Sequence, residues 1–329
     1  MSAYKVGIIG IGKLGEYHCN ALSRLPEAEL VGVYDIDSER KKLVAEKYNC
    51  TAFTSAGELI EAVDVVGVIV PTTQHLETAL LAIQAGRPVF VEKPIAVTLA
   101  EAEEMVTLAR QKNVPLQTGH IERFNPAIRA LNGYELNPRF IESHRLAPFD
   151  PRGTDVAVIL DLMIHDIDII LSLVKSPVTD IHANGVAVVS DEVDIANARI
   201  QFGNGCVANV TASRISQRKM RKMRLFQRDS YISIDFLQRL TELFQIVDEN
   251  EKAESTMSLG MIDKGKNKKH IIYNQPKPPE DDAMQAEWKS FFHAITTNSR
   301  PVVSGEDGYA ALKIATQITD IIKAQNAGK

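Results

Sequence analysis

The sequence predicts an α/β protein in which a doubly wound parallel sheet is followed by an α+β domain with a mostly antiparallel sheet. Three observations predict it. Over the first 120 residues, short continuous apolar runs alternate with helical stretches, the pattern of parallel strands covered on both faces. From 178 to 247 the chain reads instead as successive strands. Its 329 residues are enough for two domains, and the expected division is 1–120 and 121–329, with the closing helices able to pack back on the first domain.

The elements follow in order. KVGIIGI, AELVGVYD, VDVVGVIVP and PVFVEKP are the strand-like runs. Two of the intervening helices open with capping boxes, Ser55 with Glu58 and Thr98 with Glu101, in which the cap hydroxyl and the later carboxylate each take a backbone N–H. IERFNPAIRALN reads as a helix, RFIESHRLAPF as a strand, and 155–174 as one long, very apolar helix. Asn204-Gly205, between IANARIQF and CVANVTAS, marks a hairpin. Residues 249–268, rich in Glu, Lys, Ser and Gly, read as an exposed loop. Helices near 282–297 and 306–325 close the chain.

Composition excludes several classes. With 37 basic and 42 acidic residues the net charge is −5, so no global basic field invites nucleic acid. Cys19, Cys50 and Cys206 are far apart and form no CxxC, which points to a reducing, cytoplasmic setting and away from a disulfide frame or a zinc site. No apolar run reaches the length of a membrane span, and the start MSAYKVGIIG has no leader pattern.

The first functional motif is GIGKLG. Gly10, Gly12 and Gly15 stand in GxGxxG spacing after the first strand and open a helix. In a Rossmann unit the first glycine permits the tight turn, the second lets backbone approach a pyrophosphate, and the third lets the helix pack on the strand. Lys13 and Leu14 complete the loop, and the helix N-terminus offers N–H groups to phosphate. Asp35 follows the second strand twenty residues after Gly15, where a carboxylate bonds the ribose 2′-hydroxyl. That favours NAD over NADP. Arg40, Lys41 and Lys42 keep NADP open, unless they are only a solvated helix face.

Cofactors carry the hard chemistry of hydride transfer, so the protein needs a proton acceptor beside the carbinol. Candidates belong at the carboxyl ends of the sheet strands. PTTQH, with Pro71, Thr72 and His75, and EKP, with Glu92, Lys93 and Pro94, are so placed and are expected around the cofactor. Lys93 is positioned to relay protons. In DVAVILDLMIHDIDIILSLV, Asp161, His165 and Asp168 interrupt a helix in which nearly every other residue is aliphatic, at i, i+4 and i+7, on one face. Burying such groups is costly unless they are paired or used; a core Asp–His pair without chemistry is the alternative. Residues 214–228 carry seven basic residues and no acid, a local anion-attracting strip or a charged strand edge that blocks aggregation.

GIGKLG, PTTQH, EKP, ERFNP and DLMIHDID, in this order and spacing, resemble the glucose–fructose oxidoreductase/inositol dehydrogenase/MocA family along the whole chain. The resemblance implies a Rossmann domain followed by a large open sheet, in a homodimer or homotetramer built through the sheets. It implies that Lys93, Asp161 and His165 are catalytic, that Arg123, with Asn125 and Asp168, shapes the substrate site, and that the Lys93–Pro94 peptide matches one often cis. No metal is implied. Where many members have Gly-Gly and a small residue around the aspartate, this chain has Val156-Ala157 and Met163, so its pocket differs there. The wording is closest to a sub-group that oxidises the 3-hydroxyl of UDP-N-acetylglucosamine. A free-sugar or cyclitol dehydrogenase, and a non-catalytic NAD-binding regulator on the same scaffold, are the alternatives.

Overall fold

The computed structural model describes residues 3–150, 156–248, 257–263 and 268–327. Two compact units emerge. One comprises the chain up to Phe124 together with Asp281–Lys313; the other comprises Asn125–Glu280 and the chain from Ile314 onward.

The first unit alternates β1 (Tyr4–Ile9), α1 (Lys13–Leu22), β2 (Ala28–Tyr34), α2 (Ser38–Tyr48), β3 (Thr51–Ala52), α3 (Ala56–Ala62), β4 (Val65–Val68), α4 (His75–Gln84), β5 (Val89–Glu92), α5 (Leu99–Lys112) and β6 (Leu116–Gly119). The six strands are all parallel, in the order β3-β2-β1-β4-β5-β6. Strand order therefore reverses between β1 and β4, the place where such sheets open a ligand crevice at their carboxyl ends. Every residue of β4 and β5 is buried, which is why these strands are unbroken apolar runs. The Thr98 capping box is complete. The Ser55 box is half-formed: its hydroxyl takes the Glu58 N–H at 3.2 Å, but the Glu58 carboxylate turns to the N–H and hydroxyl of Thr54.

In the second unit lie α6 (Pro126–Arg129), β7 (Phe140–Leu146), α7 (Ile164–Val174), β8 (Val178–Val186), β9 (Ile195–Phe202), β10 (Val207–Ser213), β11 (Met220–Gln227), β12 (Ser230–Asp235), β13 (Leu240–Asp248), β14 (Met257–Asp263) and β15 (Lys268–Asn274). They form one sheet in the order β14-β15-β13-β12-β11-β7-β10-β9-β8, antiparallel except where β7 runs parallel to β10. Asn204-Gly205 does turn β9 into β10, with Gly205 at φ +83°. Phe140, Phe226, Tyr231, Phe244 and Tyr273 are successive cross-strand partners on five strands, and their rings form a ladder with centroids 5.0–5.7 Å apart. Such pairs hold strand register.

Two helices close the chain, α8 (Ala283–Thr297) and α9 (Gly305–Ala327). From α8, Trp288, Phe291 and Phe292 fill the core of the first unit together with Val6, Ile8 and Phe90. Trp288 is fully buried and stacks on Phe90 at 4.7 Å.

Three expectations are corrected. IERFNPAIRALN is not one helix: a 3-10 turn over Ile121–Phe124 precedes the single turn of α6. Pro126 disfavours helical backbone at the residue before it, and Asn125 accordingly sits at ψ 130° and caps α6. The 155–174 helix is described from 156 onward. Ile159–Met163 form a wide π-helical turn, with the Ile164 N–H reaching back to the Ile159 carbonyl, and only from Ile164 is the helix regular. The 249–268 loop contains β14, paired with an unexpected β15; 249–256 and 264–267 lie outside the described residues. As the edge strand, β14 leaves Met257, Leu259 and Met261 largely in water, so it needs none of the alternation that marks a half-buried strand.

Candidate active site

The glycine loop between β1 and α1 has the shape a dinucleotide requires. Gly10 has φ +86°, and a Cβ there would lie 2.6 Å from the Ile69 carbonyl oxygen. At Gly15 a Cβ would lie 2.0 Å from the Gly10 oxygen, whereas beside Gly12 nothing stands within 4 Å. The two outer glycines are thus required by the fold, and the middle one faces open space that a pyrophosphate can enter. Gly12 is the N-cap of α1 and gives no side-chain bond to it, so the first-turn N–H groups are left to a ligand. Lys13 and Leu14 are exposed at the same end.

Asp35 follows β2 directly. Its carboxylate accepts the Ile11 N–H at 2.8 Å and the Asp37 N–H at 2.9 Å, which fixes it against the glycine loop. Arg40 donates from Nε to the Ile11 carbonyl and from Nη2 to Glu16 at 2.9 Å. Glu16 also takes Lys47 at 2.7 Å, and that hydrogen bond and the two cations hold the Glu16 carboxyl below its usual range despite partial burial. Lys41 lies over the Tyr34 ring, 5.1 Å from its centroid. Of the three cations that kept NADP open, Arg40 is turned onto Glu16 and the loop.

Past β4, Pro71 is exposed and Thr72 begins a 3-10 turn that leads to His75. His75 is buried, its Nδ1 3.0 Å from the Pro94 oxygen and its Nε2 3.0 Å from the Val70 oxygen. Burial depresses its pKa, outweighing the carbonyls and the Glu92 charge. A neutral imidazole carries one N–H, so it donates to one of the two carbonyls. The ring is spent on the backbone around the cis Lys93–Pro94 peptide. At the end of β5, buried Glu92 accepts the Lys93 N–H at 3.0 Å and a hydrogen bond from His18 Nε2 at 2.9 Å. Burial pushes the Glu92 carboxyl up, but these donors and the nearby Lys93 charge win, and it lies below its usual range. Gly10, Gly12, Gly15, Asp35, Thr72, Glu92 and Lys93 all lie at the carboxyl ends of β1, β2, β4 and β5.

In the second unit, Asp161 belongs to the π-helical turn and His165 to the first turn of α7, both half-buried, while Asp168 is buried. Local π-helical widening is frequent at functional sites. Asn125, expected at the substrate, uses its amide inside the fold: Oδ1 caps α6 through the Ala127 N–H at 3.0 Å, and Nδ2 donates to the Phe236 carbonyl at 3.2 Å. Arg123 lies in the 3-10 turn at the end of the first unit.

Sequence reasoning passed over two buried clusters. One is His18 with Trp288, whose indole Nε1 donates to His18 Nδ1 at 3.0 Å; a histidine in the α1 stretch and the lone tryptophan were the available signals. The other is Arg145 with Asp166, an acid that interrupts the α7 stretch just as Asp161 and Asp168 do.

The basic strip is resolved into separate charges. Arg214 is buried and bonds the Val156 and Val193 carbonyls beside Asp194. Lys222 pairs with Asp235, Arg224 with Glu142 and Arg228 with Asp229. The strand of Lys222 and Arg224, β11, lies between β12 and β7 and is no edge. Arg218 and Lys219 stand exposed in the preceding loop. Among the described residues no cluster of His, Cys, Asp or Glu is arranged to hold a metal, and no helix is long and apolar enough to cross a membrane.

A parallel sheet with this glycine loop and acidic strand end defines the dinucleotide-binding class of α/β proteins. Residues 4–120 match the oxidoreductase family with NAD-binding Rossmann fold, and residues 133–231 match the GFO/IDH/MocA C-terminal domain. The chain is 35% identical over 321 residues, 97% of either chain, to UDP-N-acetylglucosamine 3-dehydrogenase from Acidithiobacillus ferrooxidans. A solved structure of that enzyme superposes with a TM-score of 0.87 at 34% identity, covering 98% of this chain and 99% of that one. Myo-inositol 2-dehydrogenase from Thermotoga maritima is 26% identical, over 94% of this chain and 93% of its own. The chain belongs to the Gfo/Idh/MocA oxidoreductase family, and it is a dehydrogenase acting on CH–OH groups with an NAD-binding Rossmann domain.

Proposed function

We propose that the chain oxidises the 3-hydroxyl of a UDP-sugar, UDP-N-acetylglucosamine, to the ketone. The observation that carries this reading is its likeness, over nearly the whole of both chains, to the Acidithiobacillus enzyme of that name. The basic strip lends less support than its composition suggested, because Lys222, Arg224 and Arg228 each stand beside an acid. Oxidation of a cyclitol is the second reading, favoured by the Thermotoga relative.

Bound NAD supplies the hydride acceptor. The glycine loop would hold its pyrophosphate and Asp35 its ribose, and Lys93 stands at the carboxyl end of the same sheet. Lys93 donates a hydrogen bond to the reacting oxygen and stabilises the negative charge that grows there. His165, oriented by Asp161, takes the hydroxyl proton as general base. Both ionisable groups are retained, which argues for an enzyme over a regulator.

The test is NAD⁺ reduction with purified protein across a panel of nucleotide sugars, free sugars and cyclitols, with the ketone located by NMR. Turnover of UDP-N-acetylglucosamine with oxidation at C3 is expected. Turnover of a free polyol and of no nucleotide sugar overturns the substrate.

A further inference from the structure

Behind Lys93 lies a buried chain of hydrogen bonds from three separate elements of the first unit. Trp288 of α8 donates from Nε1 to His18 Nδ1 at 3.0 Å. His18 of α1 faces Glu92 through Nε2 at 2.9 Å. Glu92 of β5 in turn accepts the Lys93 backbone N–H at 3.0 Å. His18 and Trp288 are fully buried and Glu92 is 7% exposed.

Donor logic fixes the protons. Indole is a donor only, so His18 Nδ1 must be the acceptor and its single proton must sit on Nε2, pointed at the carboxylate. The imidazole is neutral in this arrangement, and the contact with Glu92 is a hydrogen bond from a neutral ring to an anion, not a full ion pair. The ring cannot turn, because it is packed edge-on against Phe90 at 5.2 Å and Trp288 at 5.9 Å. A buried carboxylate is costly unless bonded, and two N–H donors keep Glu92 ionised. On its far side β6 leaves just enough room: a Cβ at Gly119 would lie 2.9 Å from the carboxyl atoms. The ionisable groups facing this carboxylate are His18, Lys93 and, from α4, His75, which feels its charge but is held neutral by burial.

We propose that Trp288, His18 and Glu92 act together as positioning residues for Lys93: the tryptophan sets the histidine tautomer, the histidine keeps the glutamate anionic and fixed, and the glutamate holds the lysine charged and aimed. A fixed negative charge beside an ammonium favours its protonated form, the form that can donate to a reacting oxygen. The consequence for turnover rests on the role given to Lys93 above; the effect on the lysine itself does not.

The test reads the lysine directly. Protein labelled with ¹³C at lysine Cε is titrated by NMR, and the Lys93 signal is identified by its loss in Lys93→Arg. Relative to wild type, the signal is expected to titrate at lower pH in Glu92→Gln and in His18→Leu. His18→Gln, which restores an N–H donor, is expected to lie between His18→Leu and wild type. Trp288→Phe keeps the ring stack and loses only the donor; kcat is expected to fall about 10-fold, less than the roughly 10²–10⁴-fold of a whole acid–base group because Trp288 acts through two intervening residues, with KM for NAD⁺ little changed. The His18 ¹⁵N shifts of the wild type should show the Nε2–H tautomer. An unmoved Lys93 titration in both Glu92→Gln and His18→Leu overturns the proposal, as does an Nδ1–H pattern for His18. If Lys93→Met keeps wild-type turnover, the mechanism assigned to Lys93 falls, and the titration still decides whether this chain of hydrogen bonds governs the lysine.

Discussion

The Arg145 guanidinium holds the Asp166 carboxylate through two bonds, Nε at 2.7 Å and Nη2 at 3.2 Å, and both side chains are 2% exposed. The pair ties α7 to the middle of the large sheet. Removing one partner of a buried pair strands the other charge, at a cost of about 3–5 kcal/mol. Arg145→Met, which leaves the Asp166 carboxylate uncompensated, should lower stability by that amount, Asp166→Asn by less, and the double replacement should recover much of the Arg145→Met loss. Urea unfolding of the three variants checks this; additive losses would contradict it.

Stability should also carry a signature at acid pH. Asp194 is fully buried. Burial pushes its carboxyl up, but the N–H groups of Val189, Val188 and Ser190 and the Ser190 hydroxyl bring it down to about 2. An unfolded aspartate titrates near ~3.9. A depressed folded value stabilises the protein above the unfolded value, and the gain disappears as pH falls from about 4 to about 2. It amounts to about 2–3 kcal/mol. In Asp194→Asn this part of the pH dependence should vanish, as measured by denaturant midpoints across that range.

Cofactor choice is the third prediction. Asp35 is held by two backbone N–H groups, and Arg40 is drawn onto Glu16, so a 2′-phosphate meets a fixed carboxylate and a cation already engaged. NAD(H) should bind more tightly than NADP(H) in calorimetric titration, and Asp35→Ser should narrow the difference. Tighter NADP(H) binding by the wild type would contradict the assignment.

For the chemical step, Lys93→Ala and His165→Ala should each reduce turnover by about 10²-fold or more, the scale of a positioned acid–base group, with NAD binding nearly intact. The loss should appear in kcat more than in KM, because the affected contacts strengthen as charge moves. Wild-type turnover in both variants would remove them from the mechanism.

The parallel sheet was legible because its signals are local. GIGKLG and the buried runs of β4 and β5 state their structure in adjacent residues. The helix around Asp161 was half legible: aliphatic content marks burial, but the π-helical turn over Ile159–Met163 inserts no unusual residue and leaves no mark in composition. Strand β14 was missed because an edge strand in water needs no alternation. The pairing of β11 charges with Asp235 and Glu142 depends on register between strands, which no single segment encodes. His18, Glu92 and Trp288 meet across 270 residues of chain, and only tertiary packing reveals why each is there.

Trp288 is the sole tryptophan of the chain, and it is wholly shielded from water in the first unit. Indole fluorescence, excited at the red edge where tyrosine does not absorb, therefore reports on that unit alone. Emission from the shielded ring should be blue-shifted and should move to the red only when the nucleotide-binding sheet opens. Far-ultraviolet dichroism records both units together. Comparing the two signals along one denaturation curve would show whether the sheets melt as a single cooperative body or one after the other, without introducing any label.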